Sequence, residues 1–278
     1  MNLQARIVYP LTALVTTNTR MTLLSSKILF PCAIAIVPLA LVILLRVLWA
    51  ILGTPVNANP ESTDPYFIYS MICAMLYMQL VIPLLALLKG MGTFTEEIEE
   101  GTLMFLRLRP VPRLVIIAGK YLAFVFSIGI LLVFSLWASY IVLSTIPEAE
   151  MFWGDLKVLI KDTWVLMLGL AAYGSVMMLV GTYFKHRIMI GIFLLFVWDA
   201  WAAFIPGSAH KFTIKHYLQS IFPHEKKQTI LETLFSNNTP SPFGVSLLIL
   251  FGIIVFCIVL TSLAFQVKQL SSDTEGGD

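Results

Sequence analysis

Three groups of residues in this 278-residue chain have types and spacings that could do chemistry. The densest is charged: Glu96, Glu97, Glu99 and Glu100, followed by Arg107, Arg109, Arg113 and Lys120. Acids ahead of bases suit a helix, whose dipole favours negative charge at its start and positive charge at its end. A short rod of this kind offers a docking surface to a soluble protein, or holds phospholipid headgroups. The second group is His210, His216 and His224. Their spacing makes no helical i, i+4 pair and no Cys or Met cluster joins them, so no metal site is expected. The third group is polar within apolar runs: Arg46, Gln79 and Asp199. At membrane depth such residues are costly unless paired or wetted, which makes them candidates for a transport pathway.

Other chemistry is missing from the sequence. Gly119-Lys120 is followed by Tyr121, and position 114 is Leu, so the GxxxxGK[ST] phosphate cradle is lacking. Cys32, Cys73 and Cys257 have no partner at CxxC spacing and read as small hydrophobes. No catalytic residue is expected, and no span carries a Ser/His pair or a metal-ligand pattern.

The elements that must position these groups follow from composition. Hydrophobic residues make up 58% of the chain and charged residues 12%, and the mean hydropathy is +0.87. A soluble domain carries roughly twice that charge, so this is an all-α, polytopic membrane protein. The net charge of +2 argues against nucleic acid as a partner.

A crossing of a hydrocarbon core of about 30 Å needs roughly 20 apolar residues. Six stretches meet that length: Ile28 to Leu52, Tyr66 to Leu88, Tyr121 to Leu143, Trp164 to Phe184, Ile188 to Ile205 and Phe243 to Val267. Only Lys185-His186-Arg187 separates the fourth from the fifth, which forces a tight helical hairpin. The transmembrane domain is thus 28–267, with a segment 89–113 between the second and third spans and an outer segment 206–242. An interfacial segment 1–27 precedes it and a tail 268–278 follows.

Lys and Arg number eleven in the connections on the side of the termini and six on the other. By the positive-inside rule both termini are cytoplasmic and the protein sits in the cell (plasma or inner) membrane. Arg46, 18 residues after Ile28, falls near the outer headgroups, where its side chain can snorkel. Asp199, flanked by Trp198 and Trp201, suits either a pathway or an outer interface. In the outer segment, Ile214 to Phe222 is expected to form a short amphipathic element resting on the leaflet.

Residues 89–120 read KGMGTFTEEIEEGTLMFLRLRPVPRLVIIAGK. Thr93 with Glu96 makes a capping box at a helix start. Phe94, Ile98 and Phe105 form one stripe, and the four acids face away from it. Pro110 and Pro112 stop this helix of about 15 residues. From Pro112 a second helix runs through Lys120 into the third span, and Arg113 to Leu143 would measure about 46 Å. That exceeds the bilayer core, so its first two turns stand in the cytosol or headgroups.

The run Glu-Glu-x-Glu-Glu-Gly-Thr-Leu at 96–103, Arg-Pro-Val-Pro-Arg at 109–113 and Gly-Lys at 119–120 resembles the loop between the second and third spans of ABC-2-type permeases. The "RPVPR…GK" form is most similar to permeases of multicopper-enzyme maturation systems. The resemblance implies an exporter subunit, not an enzyme, that pairs with a second permease copy or a paralogue and works on separate ABC ATPase subunits. It implies no cofactor in this chain, with ATP and Mg held by the partner ATPase. It assigns ATPase coupling to Glu96, Glu97, Glu99, Glu100, Gly101 and Thr102. Arg107, Arg109, Arg113 and Lys120 would anchor the elbow at membrane lipids. The competing expectation is an ion-coupled carrier using Asp199 and Arg46, which leaves the acidic segment without a role.

Overall fold

The computed structural model describes residues 9–24, 28–52, 65–93, 112–145, 156–184, 186–198, 213–222 and 241–275. Every regular element among these is helical. In chain order they are α1 (Tyr9–Leu24), α2 (Leu29–Leu52), α3 (65–93), α4 (Arg113–Ser144), α5 (Leu156–Tyr183), α6 (187–198), α7 (Ile214–Ile221) and α8 (Phe243–Glu275).

Five of the helices, α2, α3, α4, α5 and α8, are long and apolar enough to cross a membrane. The fifth expected span, Ile188 to Ile205, is helical as far as Trp198, and the rest of it lies outside the described residues. The hairpin before it forms as expected: α5 ends at Tyr183 and α6 starts at Arg187.

The central helix is α5. Its most apolar window is 72% buried, against 22% for α2 and for α8, whose flanks carry Ile36, Leu44, Leu248 and Phe256 exposed. Three spans depart from the expected bounds, and one of them, α8, runs to Glu275, eight residues past Val267 and into the expected tail. α5 begins at Leu156, eight residues before Trp164, and thereby takes Lys157, Lys161 and Asp162 into a helix. α3 continues past Leu88 to Thr93, whose hydroxyl donates to the Lys89 carbonyl at 2.9 Å. Thr93 therefore closes a turn of the second span, while Glu96, the other half of the expected capping box, lies outside the described residues. Within α3, Cys73–Val81 and Ala86–Gly90 are π-helical on either side of a short α segment containing Pro83. Wide turns of this kind are rare and gather at functional sites.

α4 is the expected long column. It starts directly after Pro112, whose fixed φ and missing N–H suit a helix start. Its 32 residues span about 48 Å. α2 runs parallel to it, as two cross-links show: Ser135 donates to the Ala35 carbonyl, and Arg46 Nη2 donates to the Thr145 carbonyl at 3.3 Å. The other half of α4 packs against α1.

Tyr77 of α3 joins α4 through Ser135 at 2.8 Å and Ser139 at 3.0 Å. The Ser135 proton is committed to Ala35, so Tyr77 donates to Ser135 and accepts from Ser139. This directed relay ties α2, α3 and α4 through fully buried side chains. Membrane double-mutant cycles average about 0.6 kcal/mol per interhelical hydrogen bond. Tyr77→Phe should therefore lower stability by roughly 1–2 kcal/mol, read as a drop in the thermal midpoint in detergent, with the far-UV spectrum unchanged.

α7 fulfils the expected amphipathic element, with Thr213 as N-cap accepting from the His216 amide at 3.3 Å. It does not rest on the outside. Leu218 is buried against Gly169, the middle of α5, and α7 is wedged among α3, α5 and α8.

Candidate functional site: the Pro112 end of the bundle

The ends of α3 and α5, the beginning of α6, the first turns of α4 and the helix α1 all meet at one end of the bundle. The segment 94–111 leaves α3 and enters α4 at this end.

The seam between α3 and α5 is built from glycines. A Cβ on Gly181 would lie 2.7 Å from the Met91 carbonyl oxygen and 2.9 Å from its Cα. A Cβ on Gly191 of α6 would lie 2.0 Å from Met91 Cε. On Gly90 it would lie 3.2 Å from Met177 Cβ and 3.3 Å from the Gly174 carbonyl. Backbone thus lies against backbone where α3 ends. Gly174 itself also receives the ring of Phe124 from α4. Tyr121 adds a hydrogen bond from its hydroxyl to the Ala171 carbonyl at 2.8 Å. The last turn of α3 and the first turns of α4 are therefore both fitted into α5.

Beside this seam lies a cavity of about 180 Å3 between α1, α3 and α4, into which Lys89 and Lys120 both face. Lys120 is only 5% exposed. Seven residues separate it from Arg113, about 10 Å along the helix. If the roughly 18 Å by which α4 exceeds a 30 Å core is shared between its ends, Lys120 falls at the headgroup boundary.

The expected site residues distribute as follows. Glu96, Glu97, Glu99, Glu100, Gly101, Thr102, Arg107, Arg109 and Asp199 lie outside the described residues, as do His210 and His224. Arg113 is the first residue of α4, and Lys120 is buried one level further in. Arg46 is at the far end, where its guanidinium meets the terminal carbonyl of α4 at Thr145, the negative pole of that helix. Gln79 lies two residues beyond Tyr77 on an exposed face of α3. Arg46 is eleven residues past Ala35, about 16 Å higher than the Tyr77 relay, so the structure does not bring Arg46 and Gln79 together. Trp198, the neighbour of Asp199, lines an apolar cavity of about 280 Å3 with Tyr173, Phe193 and Ile253. His216 is buried, with Nε2 3.1 Å from the Ser241 hydroxyl.

One buried acid escapes sequence reading. Asp162 is fully buried in α5 and interacts with Tyr69 and Cys73 of α3, and Tyr69 stacks edge-on against Tyr140 of α4. Its signal was helical: Leu159, Asp162 and Leu166 share one face.

These elements define a multi-pass, all-helical membrane component. A profile described as ABC-2 family transporter protein matches residues 56–270, more than three quarters of the chain. The chain belongs to that family. Membership makes it the membrane subunit of an ABC transporter, of a kind not generally catalytic itself, and implies association with ABC ATPases. No curated protein matches it.

Proposed function

We propose that this chain is the permease subunit of an ATP-driven exporter, paired with a second permease copy or paralogue. ATP and Mg are bound by separate ATPase subunits, since this chain has no phosphate cradle. Both termini and the segment 94–111 face the cytoplasm in the cell (plasma or inner) membrane, in keeping with the excess of Lys and Arg in those connections. Glu96, Glu97, Glu99, Glu100, Gly101 and Thr102 dock on the ATPase, while Arg107, Arg109, Arg113 and Lys120 hold the elbow at membrane lipids. Resemblance to permeases of multicopper-enzyme maturation systems supports that subfamily.

The observation that carries this reading is the pairing of family membership with the fitted Pro112 end. Force applied between α3 and α4 reaches α5 through packed backbone and rings, without a flexible joint among the described residues. An ion-coupled carrier centred on Asp199 and Arg46 is less supported, because Arg46 is engaged at the end of α4. The test is charge reversal. Glu96→Lys with Glu100→Lys should abolish co-purification of the ATPase and stimulated ATP turnover, while leaving the permease in the membrane. Unchanged co-purification and turnover would remove the docking assignment.

A further inference from the structure

The helix α7 places a lysine at a depth where one is costly. Leu218 lies against Gly169, which is 13 residues from Leu156 and 14 from Tyr183. About 20 Å of α5 therefore separates this point from either end. The start of α7 shares a cavity with Tyr173 and Val176, further still from Leu156. Lys215 stands between these levels, two residues after Thr213 and three before Leu218. Its four-carbon stem falls short of either headgroup layer, ~15 Å from the middle of a 30 Å core. The bundle does not absorb this side chain. Thr213, His216 and Leu218 are buried, and Ile214, Tyr217 and Ile221 pack on the core. Lys215 and Gln219, four residues apart on one face, stay half-buried. Neither makes a hydrogen bond or an ion pair among the described residues. The one acid of α5, Asp162, is seven residues from Gly169, about 10 Å away, and faces Tyr69 and Cys73 of α3. Lys215 also sits in the first turn of α7, where the helix dipole adds to the cost of a positive charge. The element that carries it is fixed in place: the Ser241 amide, just before α8, donates to Ser220 Oγ at 3.3 Å, and His216 Nε2 lies 3.1 Å from Ser241 Oγ.

We infer that Lys215 and Gln219 line the translocation path and bind the anionic group, a carboxylate or a phosphate, of the transported substrate. Ionisable residues held at membrane depth mark substrate pathways, because only water or a counter-charge offsets their desolvation. The Lys215 ammonium gives the anion a charge-assisted hydrogen bond, and the Gln219 amide, one turn further on, donates a second. This rests on the transporter reading above and adds the charge of the substrate to it. It uses no residue of the Pro112 end, so the ATPase-docking assignment and this one can fail separately.

The experiment is lysine footprinting of the full-length protein in lipid nanodiscs. A membrane-impermeant amine-acylating reagent is used and the products are read by peptide mass spectrometry. Lys157, exposed near the start of α5, is the reference. Lys215 should be acylated in spite of its depth. Butyl phosphate or butyrate should slow that reaction at least fivefold and leave Lys157 unaffected, whereas butylammonium should not. Protection by butyl phosphate alone assigns a phosphate, and by butyrate alone a carboxylate. Gln219→Leu should weaken the protection. In thermal unfolding, the protecting anion should raise the midpoint of the unaltered protein and of Lys215→Arg, but not of Lys215→Met. A Lys215 that resists acylation would overturn the path, and release of that resistance by Asp199→Asn would assign the lysine to that acid instead. Acylation without protection by either anion, or a midpoint shift that survives Lys215→Met, would overturn the anion site.

Discussion

Gly181→Ala is expected to uncouple this protein severely for a change of a single methyl group. The added Cβ meets the Met91 carbonyl oxygen at 2.7 Å and the Met91 Cα at 2.9 Å. Both are backbone atoms, so no side chain can rotate away and the two helices must part. Overpacking of this kind costs roughly 1–3 kcal/mol. For a chain of this size that corresponds to a fall in thermal midpoint on the order of 5 °C. Substrate-stimulated ATP hydrolysis in the reconstituted complex should fall further than stability does, because the displaced turn leads straight into the coupling segment. Gly252→Ala is the control. Nothing lies within 4 Å of its Cβ, and replacing a mid-helix glycine there should be neutral or stabilising by up to about 1 kcal/mol. Equal behaviour of the two variants in both measurements would refute the clamp.

The second large effect is expected at Asp162. Its carboxylate is wholly buried and interacts with Tyr69 and Cys73. Asp162→Ala opens a void and removes the polar group that interacts with the Tyr69 hydroxyl in an apolar setting. A stranded buried polar group costs roughly 1–3 kcal/mol, and the midpoint should drop by on the order of 5–10 °C. Asp162→Asn keeps shape and one acceptor oxygen, and should recover at least half of that loss. Combined with Tyr69→Phe, the double-mutant cycle should return a coupling energy of about 0.5–3 kcal/mol. A coupling of zero would mean that the two side chains are neighbours without interacting.

These two sites show where the sequence was readable. The start of α4 was legible because Pro112 cannot continue a preceding helix but can stand at the start of a new one, and nothing after it breaks the helical run. The α5–α6 hairpin was legible because three residues cannot be anything but a turn. The start of α5 was hidden by Lys157, Lys161 and Asp162, which lower local hydropathy although the helical period continues through them. That α3 runs on past Leu88 to Thr93 was hidden because Gly90 and Met91 have backbone partners on α5 that local rules do not contain. The π turns of α3 and the wedging of α7 beside Gly169 are equally tertiary in origin. Of the candidate site, Lys120 was found through its motif, but the cavity it shares with Lys89 depends on α1 lying alongside.

The hydrogen bonds that tie α4 to α2 and α3, at Ser135, Ser139 and Thr145, fall in one half of it. The half nearer Pro112 meets α5 through the Phe124 ring and the Tyr121 hydroxyl. A stiff rod tied in this way to α2 and α3 has its fulcrum near Ser135, and its arm back to Arg113 is about 33 Å long. A tilt of about 10° about that fulcrum sweeps the tip through nearly 6 Å, comparable to one helical turn. Leverage of this size lets a small swivel at the hydrogen-bonded pivot be read, or driven, as a large stroke at the membrane face.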